Sequence, residues 1–252
     1  MKTYEESNLL RTRDCDVNGE WRFSAILETL QETAGGHCDR MGCGRRDLIK
    51  SHIAWVLIRS EVHMDRYPVI GERVYVETFH TPVRHRLFPR YFLIRDNQRQ
   101  MIGKASTLWT LIDIRTRKTI AADWVAAKMP DNSDMKAPMS LPTNILAPEK
   151  AQREEVIYHP SYTDLDANGH MNNAKYADLL CNLLGTEAMR RSKICSMILN
   201  FNAEVLPDEA IPLVLERGQQ QCRLTGENGA RKLFEIGCYL KERSKEKAEK
   251  GS

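Results

Sequence analysis

The sequence predicts an α+β chain built from two related halves, each a long apolar helix wrapped by a curved antiparallel sheet. Three observations carry this. A six-residue string occurs twice, a helix-spaced apolar run comes after each copy, and strand-like segments come after each run. Asp14-Cys-Asp-Val-Asn-Gly19 and Asp164-Leu-Asp-Ala-Asn-Gly169 lie 150 positions apart and agree at four of six places. A match at that offset, with a helix and then strands downstream of both copies, reads as an internal duplication.

In the first half, Ile26, Leu27, Leu30 and Ala34 recur at helical spacing, and Gly35-Gly36 is the expected end. Segments 55–62, 73–79, 90–95 and 105–114 then read as strands. In the second half, the run 173–184 places Tyr176, Leu179, Leu180, Leu183 and Leu184 on one helical face and reaches Gly185. Segments 197–205, 213–224 and 232–240 read as strands, the last two joined by the hairpin turn Glu227-Asn228-Gly229. Between the halves, residues 126–150 hold four of the ten prolines and little periodicity, which reads as a linker. The expected division is therefore 1–125, linker 126–150, 151–240, and a charged tail at 241–252 that frays.

Composition sets outer bounds. The 252 residues are 42% hydrophobic, enough for a core and against wholesale disorder. The longest uninterrupted apolar run, 53–58, falls far short of the ~20 residues of a spanning helix. The first residues show neither a signal-peptide stretch nor an Arg-rich transit peptide, so a soluble cytoplasmic protein is expected, with no membrane partner. A net charge of +3 is mild, and no motif reads bases or phosphates, so no nucleic acid is expected. The seven cysteines are an odd number without framework spacing or any CxxC pair, which predicts reduced, mostly buried thiols and no structural zinc. No cofactor and no metal are expected. Residues 84–99 concentrate charge: Arg84, Arg86, Arg90, Arg95 and Arg99 stand against Asp96 alone. That stretch is a solvated strand face or a landing patch for an acidic partner.

The two copies differ at one informative place. After Asn-Gly the first reads Glu20-Trp-Arg-Phe23, the second His170-Met-Asn-Asn173. The second copy thereby sets a carboxylate (Asp166), an amide (Asn168) and an imidazole (His170) just before a helix. Asn172 or Asn173 can cap that helix, and backbone N–H groups at its start can hold developing negative charge.

The stretch Thr163-Asp-Leu-Asp-Ala-Asn-Gly-His-Met-Asn-Asn-Ala-Lys-Tyr176 resembles the catalytic segment of acyl-acyl-carrier-protein thioesterases, double hot-dog enzymes of plant plastids and bacteria. Residues 84–96, Ala105-Ser-Thr-Leu-Trp109 and Asn200-Phe-Asn-Ala-Glu-Val205 resemble further family segments. The resemblance extends over nearly all of residues 1–240. It implies a tandem double hot-dog fold with a non-catalytic N-terminal half that binds the acyl chain and a catalytic C-terminal half. It also implies hydrolysis of fatty acyl thioesters, with Asp166, Asn168, His170 and Glu204 as the catalytic residues. In that reading Glu204 and Asn168 position and activate water, and His170, oriented by Asp166, assists proton transfer and polarises the thioester; attack by Asp166 through an anhydride is the other route. Many plant members carry a cysteine after the glutamate; Val205 stands there, so a Cys–His mechanism is not available at that place. The implied partner is an acidic acyl carrier protein meeting Arg84, Arg86 and Arg90, and the chain is expected as a monomer or homodimer. Acyl-CoA hydrolysis with the same residues and non-catalytic acyl binding are the alternatives; hydratase chemistry fits the spacing less well.

Overall fold

In the computed structural model, which describes residues 1–243, the Asp-x-Asn-Gly string folds into the same turn twice, each time at the head of a buried helix. The chain divides into two units, Met1–Thr143 and Asn144 onward. In the first lie β1 (Tyr4–Leu9), α1 (Phe23–Met41), α2 (Arg45–Ile49), β2 (Ile53–Met64), β3 (Arg73–His80), β4 (Phe88–Arg95), β5 (Met101–Asp113) and α3 (Asp123–Ala126). Its strands pair antiparallel in the order β1-β3-β4-β5-β2. The second has β6 (Gln152–Tyr158), α4 (Lys175–Leu184), α5 (Thr186–Arg191), β7 (Ser192–Phe201), β8 (Ile211–Arg217), β9 (Gln221–Asn228) and β10 (Arg231–Glu242). These strands pair antiparallel in the order β6-β8-β9-β10-β7, the same topology strand for strand.

Each helix buries the face its sequence predicts. Ile26, Leu27, Leu30 and Ala34 of α1 are buried, as are Tyr176, Leu179, Leu180 and Leu184 of α4, while Leu183 at the edge of that face is only half-buried. The Tyr176 ring meets Phe201 edge-on at 5.2 Å and Phe234 at 4.8 Å, seating α4 on β7 and β10. Each such aliphatic side chain contributes roughly 1.5–3 kcal/mol by leaving water.

Several boundaries differ from expectation for identifiable reasons. Helix α1 runs through Gly35-Gly36 and ends at Gly42, whose φ of 70° closes the last turn. Gly36 instead marks a close crossing of β1: a Cβ there would lie 2.8 Å from the Tyr4 hydroxyl and 2.9 Å from Glu6 Oε1. The run 213–224 is two strands, reversed by a turn in which the Gly218 N–H donates to the Gln221 carbonyl at 2.8 Å. Strand β7 ends at Phe201, because the N–H groups of Asn202 and Ala203 both turn to the Leu233 carbonyl, so Glu204 sits on a loop. Strands β1 and β6 are polar sheet edges, with too few apolar positions to register in the sequence. Residues 126–150 are tied down on both sides. Asn132, buried, donates to the carbonyls of Lys2 and His80, while Gln221 of β9 donates to the Leu146 carbonyl. Residues 241 and 242 belong to β10; the rest of the expected frayed tail, beyond 243, lies outside the described residues.

Candidate active site

The loop before α4 is held by its own first residues. The Asn168 backbone N–H donates to Asp166 Oδ1 at 2.8 Å, and its side-chain Nδ2 to Oδ2 at 3.2 Å. The Gly169 N–H reaches the Asp166 carbonyl at 3.0 Å with Gly169 at φ 77°, and the Asp166 N–H reaches the His170 carbonyl at 2.8 Å. Asp164 Oδ2 accepts from the Ser161 N–H at 2.8 Å and from the Tyr158 hydroxyl at 2.7 Å. Burial and that carboxylate push the Tyr158 hydroxyl well above its usual range.

The first unit repeats these bonds. Asn18 N–H to Asp16 Oδ1 is 2.8 Å, Asn18 Nδ2 to Oδ2 is 3.1 Å, Gly19 N–H to the Asp16 carbonyl is 3.0 Å, and Asp16 N–H to the Glu20 carbonyl is 2.8 Å. The flanking chain matches too: Trp21 N–H donates to the Pro68 carbonyl at 2.9 Å, as Met171 N–H does to that of Val205 at 3.0 Å. Val69 N–H caps onto Glu72 at 3.1 Å, as Leu206 N–H caps onto Glu209 at 3.0 Å. This correspondence aligns His170 with Glu20 and Glu204 with Tyr67. Asp, Asn and Gly therefore make the turn in both halves, and the chemistry-bearing difference is the pair His170–Glu204.

That pair is in contact. His170 Nε2 lies 3.4 Å from Glu204 Oε2, both side chains partly open to solvent. Two bonds to backbone carbonyls hold them there: the Met171 N–H on the Val205 carbonyl, and the Arg231 side chain Nη2 on the Glu204 carbonyl at 3.3 Å. Val205 is fully buried and fixes this crossing through its backbone. In the first unit, Glu20 and Tyr67 are both buried, so the equivalent place is closed over.

All four sequence-expected site residues thus fall in one region of the second unit, with a different division of contacts. The Asp166 carboxylate faces Asn168, and the imidazole nitrogen faces Glu204. The helix start also differs from expectation. Asn172 Oδ1 takes the Ala174 N–H at 2.9 Å, and the N–H groups of Asn168, Gly169, Met171, Asn172 and Lys175 are each engaged by acceptors of the loops that meet there. Those groups serve the loop and are not open oxyanion donors. Arg231 carries no signal in the sequence, and Tyr176 is expected only on the apolar face of its helix. Tyr176 is buried beneath the loop, and burial, then Glu209 and Asp166, push its hydroxyl well above the usual range.

The arginine stretch is reduced by the fold. Arg90, expected in the docking patch, is buried, because β4 turns that side chain beneath α1. Arg95 pairs with Glu77 at 2.9 Å and Arg99 with Glu5 at 2.7 Å. Arg84 and Arg86 remain exposed at the tip of the β3–β4 hairpin, with Arg86 at φ 68°. Among the described residues no group of His, Cys, Asp and Glu could hold a metal ion, and no helix is long and apolar enough to cross a membrane.

The chain is similar to known proteins along both halves. The acyl-ACP thioesterase N-terminal domain matches residues 1–126, and the acyl-ACP thioesterase C-terminal domain matches residues 147–236. An acyl-[acyl-carrier-protein] hydrolase of Cuphea viscosissima is 23% identical over 254 residues, covering 90% of this chain and 60% of the relative. A palmitoyl-acyl carrier protein thioesterase of Arabidopsis thaliana is 25% identical over 227 residues, covering 82% of this chain and 53% of the relative. Both relatives are named as chloroplastic, and this chain spans little more than half their length. Among solved structures, an acyl-ACP thioesterase of Bacteroides thetaiotaomicron superposes with a TM-score of 0.82 at 21% identity, covering 95% of this chain and 98% of that one. The 12:0-ACP thioesterase of Umbellularia californica gives 0.82 at 21% identity, covering 96% and 98%. The fold is thus the tandem hot-dog that the resemblance implied, and with both domain models matched in order along it, the chain belongs to the acyl-ACP thioesterase family.

Proposed function

We propose that this chain hydrolyses the thioester of a fatty acyl-carrier protein to free fatty acid and carrier thiol, using water activated at the His170–Glu204 pair. The observation that carries the reading is the 3.4 Å contact of His170 Nε2 with Glu204 Oε2, on a loop whose twin keeps every shape-making residue and has Glu20 and Tyr67 instead. Glu204 takes a proton from a water whose oxygen attacks the thioester carbonyl. The tetrahedral intermediate collapses with loss of the thiolate, and the proton passes from Glu204 to His170 across their contact and from His170 to the thiolate sulfur, which returns both groups to their starting states. Asp166 acts at one remove: it holds Asn168 by Nδ2, which leaves the amide oxygen as the end that can accept from the water. Because Val205 follows Glu204, no thiol takes part there.

The carrier is acidic, and the exposed Arg84 and Arg86 are the cations proposed to meet it; Arg90 has no part in docking. Release of free thiol from matched acyl-carrier-protein and acyl-CoA substrates tests this. The double substitution Arg84→Glu with Arg86→Glu should depress carrier-protein turnover at least tenfold and leave acyl-CoA turnover nearly unchanged. Equal loss on both substrates would move the docking site elsewhere, and preference for acyl-CoA in the unsubstituted protein would favour the acyl-CoA reading.

A further inference from the structure

The first unit buries a positive charge that the proposed chemistry does not use. Arg90 is 5% exposed and lies beneath the last turns of α1. Its Nη1 donates to Thr78 Oγ1 at 3.2 Å and to His37 Nδ1 at 3.1 Å, and its Nη2 donates to Cys38 Sγ at 3.4 Å. His37 Nε2 is 3.3 Å from the Met1 carbonyl, so the ring proton sits on Nε2 and Nδ1 is the acceptor. Burial, and then the guanidinium, hold this imidazole neutral down to about 4. His80, 6.1 Å from His37 ring to ring, is held neutral for the same reasons. Among the described residues no carboxylate bonds to Arg90. A guanidinium buried without a counter-charge is costly, and of the groups touching it only Cys38 can become an anion.

Cys38 has a second neighbour. Where α1 ends, the Gly42 N–H bonds to the Asp39 carbonyl and the Cys43 N–H to the Cys38 carbonyl, both at 3.0 Å. That closing turn folds the residue after the helix back over the last turn, and both cysteines are buried in one apolar cluster with Leu48, Phe88 and Leu111. Cys43 and Arg90 draw the Cys38 thiol below its usual range against its burial, while Cys43 is pushed up. Asp39 opposes the effect at Cys38, and Lys128 acts on Cys43.

We propose that Cys38 and Cys43 are an oxidisable dithiol, with Cys38 the attacking thiolate, Cys43 the resolving thiol and Arg90 the cation that keeps the attacking sulfur anionic. The co-reactant is hydrogen peroxide. The Cys38 thiolate attacks one peroxide oxygen, the O–O bond breaks, and sulfenic acid and hydroxide form; the hydroxide takes a proton to give water. The Cys43 sulfur then attacks the sulfenic sulfur, its thiol proton leaves with the sulfenic oxygen as a second water, and the disulfide closes. Two electrons pass from the two thiols to the peroxide. A second thiol pair, Cys222 and Cys238, faces across β9 and β10. Among the described residues no guanidinium bonds to either of its sulfurs, which makes it an internal control.

Peptide mapping of the intact protein after graded hydrogen peroxide tests the proposal. The Cys38–Cys43 peptide should lose two hydrogens at least tenfold faster than Cys222 or Cys238 are modified. Arg90→Lys, which keeps charge but not the forked contact, should slow this several-fold, and Arg90→Met at least tenfold. In Cys43→Ser, sulfenic acid should accumulate at Cys38 and be trapped by a 1,3-diketone; this variant keeps the reading testable if Arg90→Met does not fold. Oxidation of the half-buried Cys15, Cys181 and Cys195 with Cys38 untouched, or equal rates with and without Arg90, would overturn the proposal.

Discussion

At the scale of residues, the duplication supplies its own control. Asp16 and Asp166 make the same bonds to Asn18 and Asn168, so a substitution at Asp16 measures what the turn alone contributes. Asp16→Ala should destabilise by about 1–3 kcal/mol, the range for leaving such donors without acceptors, and leave kcat near its original value. Asp166→Ala should cost similar stability and also lower kcat at least tenfold, because Asn168 loses its orientation. Thermal melts and thiol-release assays on both variants check this; equal kcat for the two would remove Asp166 from the mechanism. The Asp-x-Asn-x-His string was legible because each residue type has a reason to sit where it does. Glu204 was not legible from its own surroundings and came through the family resemblance, since its role depends on a loop crossing made by the backbone of Val205. Arg90 was misplaced because charge density along a chain says nothing of which arginine turns inward.

At the scale of elements, apolar periodicity located α1 and α4 and most of the strands, while the edge strands β1 and β6 stayed hidden in polar sequence. The end of α1 shows why a glycine is ambiguous. Gly35 and Gly36 look alike in sequence, yet a Cβ at Gly35 meets nothing within 4 Å and one at Gly36 meets Tyr4 and Glu6. Gly35→Ala should therefore stabilise the protein by about 0.5–1 kcal/mol through helix propensity. Gly36→Ala should destabilise it, since β1 must shift before the methyl fits. Denaturant midpoints for the pair decide the matter; two stabilised variants would contradict the close crossing.

At the scale of the whole molecule, stability and activity separate between the halves. His37 and His80 are neutral in the fold to about pH 4, against an ordinary value of 6.5. Above pH 6.5 they contribute no pH dependence. Below it the unfolded chain takes up protons that the folded chain refuses, so stability falls as pH falls. The loss is about 2 kcal/mol per histidine by pH 5. Thermal melts at pH 7 and pH 5 should show that drop, and an unchanged melting temperature would contradict the neutral cluster. The proposed catalysis belongs to the other half, where His170 on the shared turn faces Glu204 on the loop after β7. The decisive experiment is free-thiol release from an acyl-carrier protein by His170→Gln, set beside Glu20→Gln. In the first, kcat should fall by about 10²–10⁴ with melting unchanged; in the second, it should change no more than a few-fold. Full activity in His170→Gln would take the chemistry away from the His170–Glu204 pair.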